Sequence, residues 1–223
     1  MKPILFNSEM VRAILDGRKT VTRRVVKEPW YIEDETVSKA SGLAMHKGSN
    51  CTYGMPYPDS IYRPGEILYV RETFFKAVDR YMYKANYSDS EKFYRNGKVV
   101  SIKWHPSIHM PKEAARLFLR VKAVRIEKLR AMGMEDALME GITPINRPGG
   151  CKCQFAVDGC MEEPCPNRAA YETYRHMDPF IQLWDSTIAP ADRAFYGWEA
   201  NPWVWVIGFE RVTKEEAEDG DGA

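Results

Sequence analysis

Eight consecutive residues, Gly17-Arg18-Lys19-Thr20-Val21-Thr22-Arg23-Arg24, concentrate groups able to do chemistry. A lysine amine becomes a usable base when burial or neighbouring cations disfavour its ammonium form. A threonine hydroxyl can attack a carbonyl or orient the group that does, and a guanidinium can hold the oxyanion that forms. From Thr20 the alternation predicts a strand with Val21, Arg23 and Val25 on one face and Thr22, Arg24 and Val26 on the other. Thr22 and Arg24 then point the same way, and Lys19 leans in from the preceding turn. The same residues also suit a structural role, as cations after a helix C-terminus and as charges that blunt an edge strand.

Four further places carry chemistry-bearing side chains. Arg71 and Glu72 put one charge on each face of the apolar run Ile67 to Phe74, where each needs a partner or lines a pocket. Trp104-His105-Pro106-Ser107-Ile108-His109-Met110-Pro111 combines an indole, a hydroxyl and two imidazoles, and its prolines predict a loop, with Ser107 and His109 as candidate contacts. Pro106 between the histidines weighs against a helical metal pair. Trp198 and Asn201, ahead of the last strand, could stack on a planar ligand and read its edge. Cys151, Cys153, Cys160 and Cys165 follow C-x-C-x6-C-x4-C spacing, a set able to close a tetrahedral zinc shell, with free thiols or a disulfide pair as the alternatives.

The elements that must position these groups are legible in part. Met10, Val11, Ile14 and Leu15 mark an amphipathic helix, with Ser8 as its N-cap and Gly17 as its left-handed stop. Short strands are predicted at Pro3 to Phe6 and Tyr81 to Ala85. A long one is predicted from Arg116 to Leu129, with Leu117, Leu119, Val121 and Ala123 on one face. Met134 to Gly141 reads as a short helix whose last turn holds Glu140, an acid at the pole that disfavours it. Asn167 should cap a helix to about Trp184, broken at Pro179. Trp203 to Glu210 is apolar on both faces, as a central strand must be.

With 223 residues, 44% of them hydrophobic, the chain suits one domain over residues 1–213. Two stretches without sustained period, residues 27–64 and 143–167, read as insertions. The last ten residues hold five acids against one lysine and are expected to form a disordered tail over 214–223. No signal peptide and no membrane span are predicted, and five cysteines, an odd number, suit a reducing cytoplasm.

Gly17, Lys19, Thr22 and Arg24 also fit the form G-x-K-x-x-E/T-x-R, and with the Pro64-Gly65-Glu66 turn and the apolar final strand they resemble the ASCH domain family. The Gly65 to Thr73 segment, the Trp104 loop and the final strand are similar to those of its larger, phage-associated branch. The resemblance implies an α+β protein built on a PUA-like β-barrel with short flanking helices. Small bacterial members are amidohydrolases that deacetylate N4-acetylcytidine, so it implies a Lys19, Thr22 and Glu140 catalytic set with Arg24 at the substrate. A nucleoside, RNA or modified DNA is the expected partner, and no organic cofactor is expected. The same residues allow two other expectations, a non-catalytic module binding RNA or modified DNA, and a ribonuclease using a histidine such as His109.

Overall fold

The structure, a computed structural model, describes residues 1–27, 62–95, 97–143 and 168–220. It is an α+β protein organised on a five-stranded mixed sheet. The elements in chain order are β1 (Lys2–Leu5), α1 (Ser8–Leu15), β2 (Val21–Val25), β3 (Ile67–Arg71), β4 (Phe74–Lys76), β5 (Tyr81–Tyr83), β6 (Phe93–Arg95), β7 (Lys98–Val100), β8 (Phe118–Lys128), α2 (Met134–Met139), α3 (Arg168–Thr187), α4 (Arg193–Tyr196), β9 (Trp203–Val212) and α5 (Lys214–Gly220). The sheet order is β1-β3-β8-β9-β2, with β1 parallel to β3 and the other pairs antiparallel. Two small ribbons, β4-β5 and β6-β7, stand beside it. Among the described residues no helix is long and apolar enough to cross a membrane.

Each face of the sheet has its own apolar cluster. On one, Ile4, Phe6, Leu68, Val70, Leu119, Val121, Trp205, Ile207 and Phe209 pack with Val11 and Ile14 of α1. On the other, Val21, Val204 and Val206 pack with Ala137 of α2, and with Phe180 and Trp184 of α3. Strand β9 is buried on both faces, as its composition requires.

Several expectations need correction. Asn7, not Ser8, caps α1, its side chain accepting from the Met10 N–H at 2.8 Å. The alternation along β8 does not persist, because a bulge between Val121 and Ala123 swaps the faces. Leu119 and Val121 face the first cluster before the bulge, and Val124 and Ile126 face it afterwards. Helix α3 runs through Pro179 as one element. The acidic C-terminal stretch is helical over Lys214–Gly220. Thr213 and Glu216 cap each other reciprocally at 2.8 and 3.2 Å, and Ala217 is buried against Ile67 and Phe118.

Chain ends that matter for the site are set by two glycines. Gly17 ends α1 at φ +74°, as its spacing predicts. Gly141 follows α2 at φ +87°, and a Cβ there would lie 2.6 Å from the Ala13 Cβ and 2.9 Å from the Lys19 Cβ. Both the conformation and the space exclude a side chain, so Gly141→Ala should destabilise by about 1–3 kcal/mol. Urea unfolding that shows no loss would contradict this packing.

Candidate functional site

Among the described residues strand β2 is the sheet's edge, and its register shows which of its groups point away from β9. The Phe209 N–H donates to Thr20 O at 2.9 Å and the Val26 N–H to Trp203 O at 3.0 Å. With Thr22 opposite Ile207, the even-numbered residues bond to β9, so the carbonyls of Val21 and Arg23 face outward. Lys19 Nζ donates to Val21 O at 2.8 Å, and Arg24 donates to Arg23 O at 3.2 Å. Two outward carbonyls of the edge are thus met by cations of its own motif.

Glu140 caps the C-terminal end of α2, and the backbone brings it to Lys19 directly. The two residues form an isolated antiparallel bridge, and the Thr20 N–H donates to Met139 O at 2.9 Å. Lys19 Nζ then lies 2.5 Å from Glu140 Oε2 and 3.0 Å from its carbonyl oxygen. Both side chains are buried, Lys19 at 2% exposure and Glu140 at 4%. Burial holds the Lys19 ammonium below the ordinary lysine value of 10.5; Glu140 opposes that shift, and Arg24 and Arg23 reinforce it.

The other Glu140 oxygen accepts from Arg23 at 3.1 Å. Arg23 also reaches Glu127 at 2.7 Å and Asp136 at 3.0 Å, and Arg125 spans the same two carboxylates at 3.2 Å each. Burial works against the Arg23 charge, yet Glu140, Glu127 and Asp136 together raise its pKa. Three cations therefore meet three carboxylates, from the turn, β2, β8 and α2. This internal neutralisation leaves Lys19 and Arg23 poorly placed to cradle a phosphate.

On the opposite face of β2, Lys19 Nζ and the Arg24 guanidinium approach the Phe6 ring, at 5.6 and 5.3 Å from its centroid. Thr22 is buried on this face. Arg24 also donates to Leu5 O at 2.9 Å, which straps β2 to β1, the opposite end of the strand order. Tyr62, whose phenol donates to Pro3 O at 2.9 Å, joins the same cluster. Beside the turn, a cavity of about 340 Å³ is lined by Arg12, Arg18, Glu140, Gly141 and Leu183, among others.

The structure therefore brings Lys19 and Glu140 together, with Arg24 beside Lys19 at the Phe6 ring and Thr22 buried on the strand face that carries Arg24. The remaining candidates have other surroundings. Glu72 is buried and accepts two bonds from Arg116, at 2.8 and 2.9 Å. Arg71 donates to Ile108 O, tying β3 to the turn Ser107–His109, while its buried Nε has no partner among the described residues. Ser107 is half-buried and His109 exposed on that turn. Trp198 packs edge-on against Phe180 in the cluster on the other face from Thr22, a core position and not an open platform. Asn201 takes a left-handed φ of +47° and accepts from the Arg130 N–H at 2.8 Å. Cys151, Cys153, Cys160 and Cys165 lie outside the described residues.

Sequence reasoning missed Phe6 and Tyr62 as neighbours of Arg24, and Asp136, Glu127 and Arg125 as partners of Arg23. The alternation of Arg125 and Glu127 against Val124 and Ile126 was the available signal for a charged face. Compared with known proteins, the chain matches no family model, no curated protein and no solved structure.

Glu140→Gln leaves Lys19 and Arg23 without their shared carboxylate in a buried place and should cost about 3–5 kcal/mol, whereas the double change Lys19→Met, Glu140→Leu should recover most of it. A double-mutant cycle by urea unfolding measures this. Partial burial works against the Asp136 carboxylate, but the Gly133 N–H, Arg23 and Arg125 hold it below its ordinary 3.8. Its stabilisation is complete above that ordinary value and is lost as pH falls through the depressed one, so Asp136→Asn should flatten the acid limb of the stability curve below pH about 4.

Proposed function

We propose that the protein is a hydrolase that removes an acyl group from a modified nucleobase, an N4-acetylcytidine-like amide, using Lys19, Thr22 and Glu140. The observation that carries this reading is a buried lysine, with its ammonium disfavoured, held 2.5 Å from the Glu140 carboxylate just ahead of the strand that carries Thr22 and Arg24. In the neutral form Lys19 takes a proton from a water oriented by Thr22 as that water's oxygen adds to the acyl carbon. The bond between the acyl carbon and N4 then breaks, Lys19 passes the proton to N4, and the acid leaves as a carboxylate, its second proton going to solvent. Glu140 fixes the amine and accepts its hydrogen bond throughout. Arg24 lies on the same face to hold the developing oxyanion.

The strap from Arg24 to β1 supports a sheet curled toward a PUA-like barrel of the ASCH kind, with Thr22 and Arg24 on its inner face. The carboxylates that hold Lys19 and Arg23 weigh against phosphate holding by this turn, which is why the binding-only reading ranks second. The four thiols remain a zinc site by the chemistry of their donors, and no step is routed through them; protein purified without chelator should then hold about one zinc per chain.

Incubation with N4-acetylcytidine should release cytidine and acetate. Thr22→Val should lower kcat by about 100-fold or more while leaving the fold intact. The rate should rise with pH to a plateau whose apparent pKa lies below lysine's ordinary 10.5. No release by the unaltered protein, or equal release by Thr22→Val, would end this reading for that substrate.

A further inference from the structure

The ribbon β6-β7 and its flanks carry features that the site does not use. Between Lys84 and Trp104 the chain has five cationic residues against two acidic ones, together with four aromatic rings. Register sets Phe93 opposite Val100, Tyr94 opposite Val99 and Arg95 opposite Lys98, around a turn with Gly97 at φ +74°. Phe93 packs inward, its ring 5.1 Å from Tyr87 and 6.1 Å from Trp104. That anchors one face of the ribbon. The other face presents Tyr94 and Val99 to solvent, at 65% and 61% exposure. Lys92 and Lys103 are exposed near it, Lys98 is exposed at the turn on the Phe93 face of the ribbon, from where its long stem can reach round the tip, and Lys84 lies over the Trp104 ring at 5.7 Å.

We propose that this ribbon binds a single-stranded polynucleotide, with Tyr94 stacking on a base and Lys92, Lys98 and Lys103 following the phosphates. An exposed ring with cations spaced along a ribbon is the arrangement that holds a single strand without reading its sequence. Two exposed apolar side chains are too few to anchor in a bilayer, which sets this partner above an anionic membrane. The ribbon is also joined to the site. Arg12 of α1 donates to Ala85 O and Tyr87 O, each at 2.8 Å, and α1 leads into the turn that carries Lys19. If the hydrolase reading holds, the substrate base is one carried in a strand; the binding itself does not rest on that reading.

The test uses the full chain and labelled, unmodified twelve-nucleotide single strands of RNA and DNA, followed by fluorescence anisotropy at low salt. The unaltered protein should bind, and Tyr94→Ala should weaken binding about tenfold or more. Lys92→Gln with Lys98→Gln should reduce the salt dependence by about two counterions. All three positions are exposed, so unchanged thermal unfolding shows that the variants fold. Absence of binding, variants that bind like the unaltered protein, or sedimentation with phosphatidylserine vesicles but not with the strands would overturn the proposal. The strands carry no acyl group, so failure of the hydrolase reading leaves this result standing, and the reverse also holds.

Discussion

The structure depends on a set of charges whose centre, Lys19, Arg23 and Glu140, is taken out of water. Lys19, Arg23 and Arg125 face Glu140, Glu127 and Asp136, and each of the two most buried cations meets at least one carboxylate within 3.1 Å. Burying any one of these groups alone would cost several kcal/mol, so they constrain one another. The network joins the turn after α1 to β2, β8 and α2, elements far apart in the chain. It also explains why α2 tolerates an acid at its C-terminal end. The dipole there disfavours Glu140, but two cations compensate it.

The same constraint shapes the edge of the sheet. Strand β2 has no sixth strand beside it among the described residues, yet the outward carbonyls of Val21 and Arg23 are met by Lys19 and Arg24. An edge whose outward carbonyls are already taken by its own segment is a poorer template for another chain. Arg24 goes further and reaches Leu5 on β1, which draws the two ends of the sheet toward each other around Phe6.

Much of this was legible in local pattern. The stop at Gly17, the alternation of β2 and the misplaced acid at Glu140 are features of spacing and helix electrostatics, and the structure has them where the sequence puts them. The features that could not be read depend on register and tertiary contact. A bulge in β8 costs one residue and leaves no mark in composition, yet it inverts every face after it. Trp198 and Asn201 suit a ligand by type, but nothing local reveals that Phe180 covers the indole or that Arg130 takes the amide oxygen. The C-terminal helix is different. Thr213 and Glu216 have the spacing of a capping box, a signal outweighed by the acidity of the residues after it.

The backbone bond from Thr20 to Met139 ties two points that are 119 positions apart, and the Lys19 and Glu140 side chains lock that junction. Everything between them is, in polymer terms, a loop closed at its neck. Closure entropy grows only with the logarithm of length, about 0.6 kcal/mol for each doubling. Lengthening a surface turn inside that loop, such as the one at Gly97, would therefore cost little closure entropy while the neck stays fixed.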